Sequence, residues 1–558
     1  MTTTQSLIAS GITRRGLLAG ALAGAGSVAL FGCSPSGGGA GSDSSTLTVA
    51  GQSDNLTQVF NPFVPNSAQG LTYAPRGQGG FIYEPLVQIN TVDIGKDIPW
   101  LAKSWAWSDG NKKLTLKLQS GVKWTDGTAF SADDVVFTYE MLKKYPAINL
   151  LGVTFSAVTA TSPTEVVFDF ASPSEQDFTN IVSVPIVSQH IWSKAGDPTT
   201  YTDKNPVGTG PFKLSTFSAQ SFLLVRNEQY WQPKAKIAAL RFVAFKDNES
   251  MTNALVQGQA DWGGTYIANA EKTYLARNKH YNYWAPIVGT DGLIPNLTRW
   301  PLSDLEVRKA ISYGVNRKQV GAASDSPPAT SVTGLPMPAY TSSISPAYRN
   351  VNYTQDTAKA HKTLTDAGYK KESDGFYHKD GKRLEFSISF PSAYTDIAAR
   401  VQVLVSQLKD IGIKLNIDTT TVTDIGDITA RGEFDSTMGY PVDSAPRAFS
   451  YYNDTINPNL VYPIGKATPS KQNIQRFKNP EAAALFKEYP QATTDAQRQQ
   501  ILDKLETVFA DNLPWIPMFY WGSYGNWSTV KATGFPSPQN PYFTPVPNPV
   551  VALRLKPV

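Results

Sequence analysis

Residues 121–140 read GVKWTDGTAFSADDVVFTYE, and they show how this chain alternates its elements. Asp126-Gly127 supplies a tight turn, because glycine adopts positive φ without a steric cost and aspartate bonds its own backbone. Ser131 then precedes a run in which Val135, Val136, Tyr139 and Leu142 recur at helical spacing. A small hydroxyl residue ahead of such a stripe predicts a capped helix. Just upstream, Leu114, Leu116 and Leu118 alternate with polar residues, which predicts a half-buried strand. Strand, turn and helix follow one another within about thirty residues.

The same alternation extends outward in both directions. TLTVA at 46–50 reads as a strand, and FKLSTF and SFLLVRN read as a pair of strands after the break at Gly208-Thr209-Gly210-Pro211. Asn248 to Gly258 reads as a helix, and Leu305 to Val320 as one helix with Val307, Ala310, Ile311 and Gly314 on one side. Asp356 to Ala367 is a helix closed by Gly368, since glycine suits the left-handed position after a last turn. Leu384, Phe386, Ile388 and Phe390 alternate as a strand. Val401, Leu404, Leu408 and Ile411 follow at helical spacing until Gly412, and IKLNID begins another strand. Ala492 to Phe509 is a further helix, ended by Leu513-Pro514-Trp515-Ile516-Pro517, with Trp515 in the core. The Pro-rich aromatic tail reads as loops over a surface. This order makes the fold class α/β.

Ahead of the first strand lies TRRGLLAGALAGAGSVALFGCSPSGGGAGSDSS, with the only cysteine of 558 residues, Cys33. A charged start at Arg14-Arg15, a short apolar core and a small residue before Cys33 describe an export signal over 1–32. Adjacent arginines resemble the twin-arginine type. Leu30-Phe31-Gly32-Cys33 resembles a lipobox, so Cys33 is the expected lipidation site, with two or more acyl chains needed for stable anchoring. Residues 33–45 form a Gly/Ser tether. The expected location is therefore outside the cytoplasm, at the outer face of the cell membrane.

The formal charge of the full chain is +4, and removal of Arg14 and Arg15 leaves +2. So near-neutral a chain gives no support for nucleic-acid binding. The four histidines, His190, His280, His361 and His378, stand apart, and no second cysteine exists for zinc, so no metal site or cofactor is expected. Gly208-x-Gly210 lacks the rest of a phosphate loop, and no G-x-S-x-G elbow occurs. The catalytic set is empty and the chain is not read as an enzyme. A carboxylate pair meeting in space, as in a secreted glycoside hydrolase, remains the out-of-class alternative. A passive surface adhesin is the third.

Several blocks together resemble the extracellular solute-binding proteins of family 5, the receptors of bacterial ABC importers for oligopeptides, some oligosaccharides and nickel chelates. They are LAKSW at 101–105, the 121–140 stretch, PVGTGPF at 206–212 with Arg226-Asn227 and Tyr230-Trp231, DLEVRKAISYGVNR at 304–317, Ala358 to Tyr369, DGKRLEFSISF and QLKDIGIKLNID. The resemblance implies a two-lobed periplasmic-binding-protein-like fold with an extra subdomain on the first lobe and a ligand cleft between lobes. It divides the chain into lobe I at 46–84 and 206–299, the extra subdomain at 85–205, lobe II at 300–520, and a return to lobe I at 521–558. It implies a monomer that takes a small oligomeric solute to membrane permease subunits.

Two ligand classes follow from the resemblance. In peptide receptors of the family an aspartate of the second lobe pairs with the peptide ammonium, and Asp443, after Gly439-Tyr440, holds that position. Asn61-Pro62-Phe63, QNIQRFKNPEAA and WSTVKATGFPSPQNPYFTP look more like the oligosaccharide branch. Sugar rings stack on flat aromatics and bond to amides and carboxylates. The expected ligand-binding set is Tyr440, Asp443, Tyr451, Tyr452, Asn453, Trp521, Tyr524, Trp284 and Asn61. Oligosaccharide is favoured and oligopeptide is the alternative.

Overall fold

Three sheets organise the chain. The computed structural model describes residues 46–53, 56–64, 67–68, 79–439, 447–467, 472–492 and 494–558. Cys33, the export signal, the tether, Tyr440 and Asp443 lie outside the described residues. The first sheet has seven strands, in the order Tyr281–Trp284, Gly525–Ser528, Trp262–Gly263, Thr46–Gln52, Ala239–Phe245, Ser221–Arg226 and Phe212–Phe217. Thr46–Gln52 is central and runs parallel to both neighbours. FKLSTF and SFLLVR pair antiparallel. The second sheet has five strands, Lys414–Thr420, Glu385–Pro391, Ser436–Gly439, Ile287–Pro295 and Ile516–Gly522. Leu293, Phe386, Ile388, Met438 and Phe519 meet one apolar cluster on it.

The third sheet is antiparallel, Ala102–Ser108, Lys113–Leu118, Glu165–Asp169 and Ala157–Ser162, and the helix Ala132–Lys144 packs on it. Here the 121–140 stretch does its structural work. Asp133 donates its amide to Ser131 Oγ at 3.2 Å, and Ser131 donates its own to Asp134 Oδ2 at 2.9 Å, a capping box. Asp134 is buried and also accepts from the Gln189 amide and the Trp124 indole, at 2.9 and 3.3 Å. One carboxylate thus ties turn, helix and a distant loop together. Gly127 sits at φ +92° in the turn.

Two expectations are corrected. Residues 305–320 are not one helix but two, Leu305–Gly314 and Arg317–Ala322. Asn316 breaks the run by capping the second, its side chain accepting the Gln319 amide at 3.0 Å. The tail does not run only as surface loops. Trp527, Phe535, Phe543 and Val551 are buried in the first lobe's core, and Pro549–Arg554 is helical. Burial of its rings outweighs the turn-forming prolines. Tyr451 and Tyr452 of the expected ligand-binding set lie on the helix Ala448–Ile456, and both are buried.

The chain passes between the two large sheets twice, through Ala285-Pro286 and through Ser523-Tyr524. The strand Ile287–Pro295 already belongs to the second sheet, ahead of residue 300, where the sequence reading began the second lobe.

The Gly208-x-Gly210 break has a packing reason. A Cβ on Gly208 would lie 1.9 Å from the Ile82 carbonyl oxygen, and one on Gly210 would lie 2.3 Å from that of Phe81. Both obstacles are backbone. Gly208→Ala is expected to cost about 1–3 kcal/mol, as overpacking does. The check is the denaturant midpoint at unchanged m-value; an unshifted midpoint would show that the 81–82 segment yields freely.

Candidate functional site

The two crossings touch. Ser523 donates its amide to the Pro286 carbonyl at 2.9 Å, and a Cβ on Gly522 would lie 2.8 Å from that of Ala285. Only glycine lets the segments lie so close. Aromatic rings gather beside them. Tyr524 stands edge-on to Tyr266 at 5.7 Å between centroids and stacks on Tyr283 at 6.3 Å. Trp284 pairs in register with Gly525, and Trp521 with Gly289. Among the described residues the Tyr266 and Tyr283 hydroxyls have no hydrogen-bond partner, whereas Tyr524 Oη accepts from Arg400 Nη2 at 3.3 Å.

Arg400 is fully buried. Its guanidinium donates to Ser324 Oγ and, at 3.0 Å, to Ser326 Oγ; it lies 3.3 Å from Asp396 Oδ2 and covers the Phe519 ring at 3.9 Å. The helix Thr395–Asp410 presents Arg400 because it shares the stripe of Leu404 and Leu408 at four-residue intervals. Asp291, on Ile287–Pro295, is 2% exposed, and its carboxyl makes no hydrogen bond among the described residues. Burial pushes its pKa up to about 7; Arg400 pulls it down and Asp396 pushes it further up. A buried carboxyl without a partner costs stability, and such groups concentrate at functional sites. A further tie crosses between the lobes, from the Asn269 amide to Asp325 Oδ2 at 3.1 Å. The arrangement offers flat rings, free hydroxyls and a charged base where the two lobes join. The described residues hold no group of three His, Cys, Asp or Glu side chains fit for a metal ion.

The expected residues scatter. Trp284, Trp521 and Tyr524 flank the crossings. Asn61 is fully buried elsewhere, donating to the Pro198 and Tyr201 carbonyls, each at 2.9 Å, and accepting the Phe63 amide. Those bonds use its side chain locally. Tyr451 and Tyr452 donate to the Gly334 and Thr333 carbonyls at 2.6 and 3.0 Å inside a core with Phe509 and Trp515. Asn453 bonds its helix neighbours Asp454 and Asn457. Sequence reasoning missed Tyr266, Tyr283, Asp291 and Arg400. For Arg400 the signal was present: a charge on an apolar helical stripe.

The description "Bacterial extracellular solute-binding proteins, family 5 Middle" matches residues 97–459. The chain belongs to this family. Family 5 proteins are transport receptors, not enzymes, and this receptor is the solute-binding component of an ABC importer for peptide or oligosaccharide. It is 25% identical over 441 residues to the glutathione-binding protein GsiB of Escherichia coli K12, covering 75% of this chain and 79% of that one. Among solved structures it is similar to a periplasmic oligopeptide-binding protein of Thermotoga maritima with mannohexaose bound. That likeness has a TM-score of 0.82 and 25% identity, covering 92% of this chain and 99% of the other. The fold is also that of the oligopeptide-binding protein AppA of Bacillus subtilis in complex with a nonapeptide, at TM-score 0.73 and 19% identity over 92% of this chain and 99% of that one. The family-5 receptor thus has two lobes of mixed α/β structure with a cleft between them.

Proposed function

We propose that this receptor captures an oligosaccharide between its lobes and presents it to its permease, with closure bending the chain at the two crossings. The observation that carries the sugar reading is the ring cluster of Tyr266, Tyr283 and Tyr524, in which two hydroxyls are uncommitted among the described residues and the third is bonded to Arg400. Flat faces suit the C–H faces of pyranose rings, and hydroxyls need donors and acceptors in fixed places. The mannohexaose-bound neighbour supports it. In this reading Trp284 and Trp521 extend the platform, Tyr440 and Asp443 join from the second lobe, and Cys33 carries a lipid anchor outside the cytoplasm. The peptide reading has its own support in the glutathione- and nonapeptide-binding relatives, and there Asp443 pairs with the ammonium.

A thermal-shift screen of the chain from Ser45 tests this, against α- and β-linked oligosaccharides and mixed di- to hexapeptides. A ligand at a hundred times its Kd adds about 2.7 kcal/mol. The sugar reading predicts a raised Tm with a sugar series alone; a shift with peptides alone overturns it. Asp443→Ala should weaken sugar binding partly, whereas it should abolish binding of a peptide ammonium.

A further inference from the structure

A cavity of about 260 Å³ lies away from the crossings, between the small antiparallel subdomain and the second lobe, and shares no residue with the ring cluster. One wall is Asn111, Glu175 and Gln176; the other comes from Arg447 to Ser450 and from Tyr489 to Leu502. Both walls are therefore needed to form it, and whatever fills it bridges them. Arg498 already reaches across, 3.9 Å from Glu175 Oε2 and 3.2 Å from Asp495 Oδ1. Tyr489 stacks on Phe449 at 3.8 Å between centroids, with an interplanar angle of 14°, so a rigid double ring borders the space.

The charge is balanced, with Arg447 and Arg498 set against Glu175 and Asp495. That balance disfavours a lone carboxylate or ammonium. The Gln176 amide already donates to Pro173 and Asp177, and that of Gln499 to Ser343 and Asp503, so these two offer only their carbonyl oxygens, while Ser450 adds a hydroxyl. The volume is just below the ~300 Å³ at which pockets for drug-sized ligands begin, which suits a single ring. Arg447, whose guanidinium makes no hydrogen bond among the described residues, lies over the Phe178 ring at 6.0 Å.

We infer that this cavity is a second contact region for the solute, taking one neutral, hexose-sized polyhydroxy unit at the far end of an oligomer whose other end lies at the crossings. The inference rests on the sugar reading of the cleft. It makes affinity depend on chain length, because only a long oligomer reaches both places, and the far unit pins the subdomain against the second lobe.

The test is calorimetric titration of the full soluble chain with manno-oligosaccharides and cello-oligosaccharides of two to six units. Ser450→Trp fills the cavity; Ser450→Ala is the control that leaves it open. The wild type and Ser450→Ala should gain at least tenfold in affinity from the shortest to the longest binder. Ser450→Trp should lose that gain while binding the shortest oligomer unchanged. Equal length dependence in Ser450→Trp and wild type overturns the cavity's role and leaves the sugar reading standing. A uniform loss at every length also overturns it, since the block then acts on one undivided site. Binding of peptides but of no sugar overturns both.

Discussion

Arg308→Ala is expected to destabilise the second lobe by about 3–5 kcal/mol, because it leaves four backbone acceptors without their donor. Arg308 is 5% exposed, and its guanidinium donates to four carbonyls: Leu302 at 2.8 Å, Ser303 at 3.1 Å, Asn512 at 2.9 Å and Leu513 at 3.0 Å. Asn512 closes the helix Asp495–Asn512, and Leu513 is its left-handed cap at φ 43°. A helix end leaves its last carbonyls unpaired and carries a partial negative charge, so a cation there answers both needs. Burial lowers the Arg308 pKa to about 10, which still leaves it charged at neutral pH. Alanine strands four acceptors, each worth about 1–3 kcal/mol if it stays dry. Lysine should recover only part of the loss, because an ammonium has three donors and no planar fork. Urea unfolding checks both variants. A loss below about 1 kcal/mol for alanine would mean that water reaches the carbonyls and that the network contributes little.

Stability is expected to fall as pH rises from about 4.5 to 7. Burial pushes Glu84 and Asp291 up to about 7, and Asp177, Asp203 and Glu506 up to about 6. Asp177 is raised further by Asp454 on the facing helix Ala448–Ile456. Unfolded carboxyls titrate near ~4. Between that value and the folded one, the native chain holds protons that the unfolded chain has lost. Stability therefore declines with rising pH, by about 1.4 kcal/mol per pH unit for each group within its window. Below the unfolded value the effect vanishes, and above the folded one it is complete. Asp126 and Asp435 are lowered despite partial burial, by His190 and Arg299 among other bonds, so their share is lost as pH falls through their folded values. The optimum should thus lie near pH 4.5–5. Chemical denaturation across pH 4.5–8 measures it, and Glu84→Gln should flatten the upper part. That glutamate accepts from Trp100, Tyr230 and Trp231 at 2.7, 2.7 and 3.0 Å, so the amide will also lose a bond; the slope is the readout. A stability that rises from pH 5 to 7 would show these carboxyls to be ionised in the folded chain.

How much of this was legible varies by element. The strand at 113–118, the cap at Ser131, the paired strands at 212–226 and the glycine stops at Gly368 and Gly412 follow from short-range rules, and the folded chain keeps them. Alternation, capping and left-handed glycines act over a few residues, so neighbours in sequence suffice to read them. The family, and with it the two-lobed fold, was carried by ordered blocks that encode structure: Asp134 as the tie of the 121–140 stretch, Arg308 and Arg317 as carbonyl anchors of 304–317.

The site resisted the same reading. Tyr451, Tyr452 and Asn61 carry side chains suited to a sugar, yet each spends its polar atoms on a nearby carbonyl or amide. Whether a tyrosine hydroxyl is committed depends on which carbonyl stands opposite, and that carbonyl is more than a hundred residues away. Tyr266, Tyr283, Asp291, Arg400 and Tyr524 come from five separate segments and meet only because the chain crosses twice between sheets. Local preference therefore determined the elements and their order, while the long-range pairing of strands decided which side chains face one another and which keep uncommitted polar atoms.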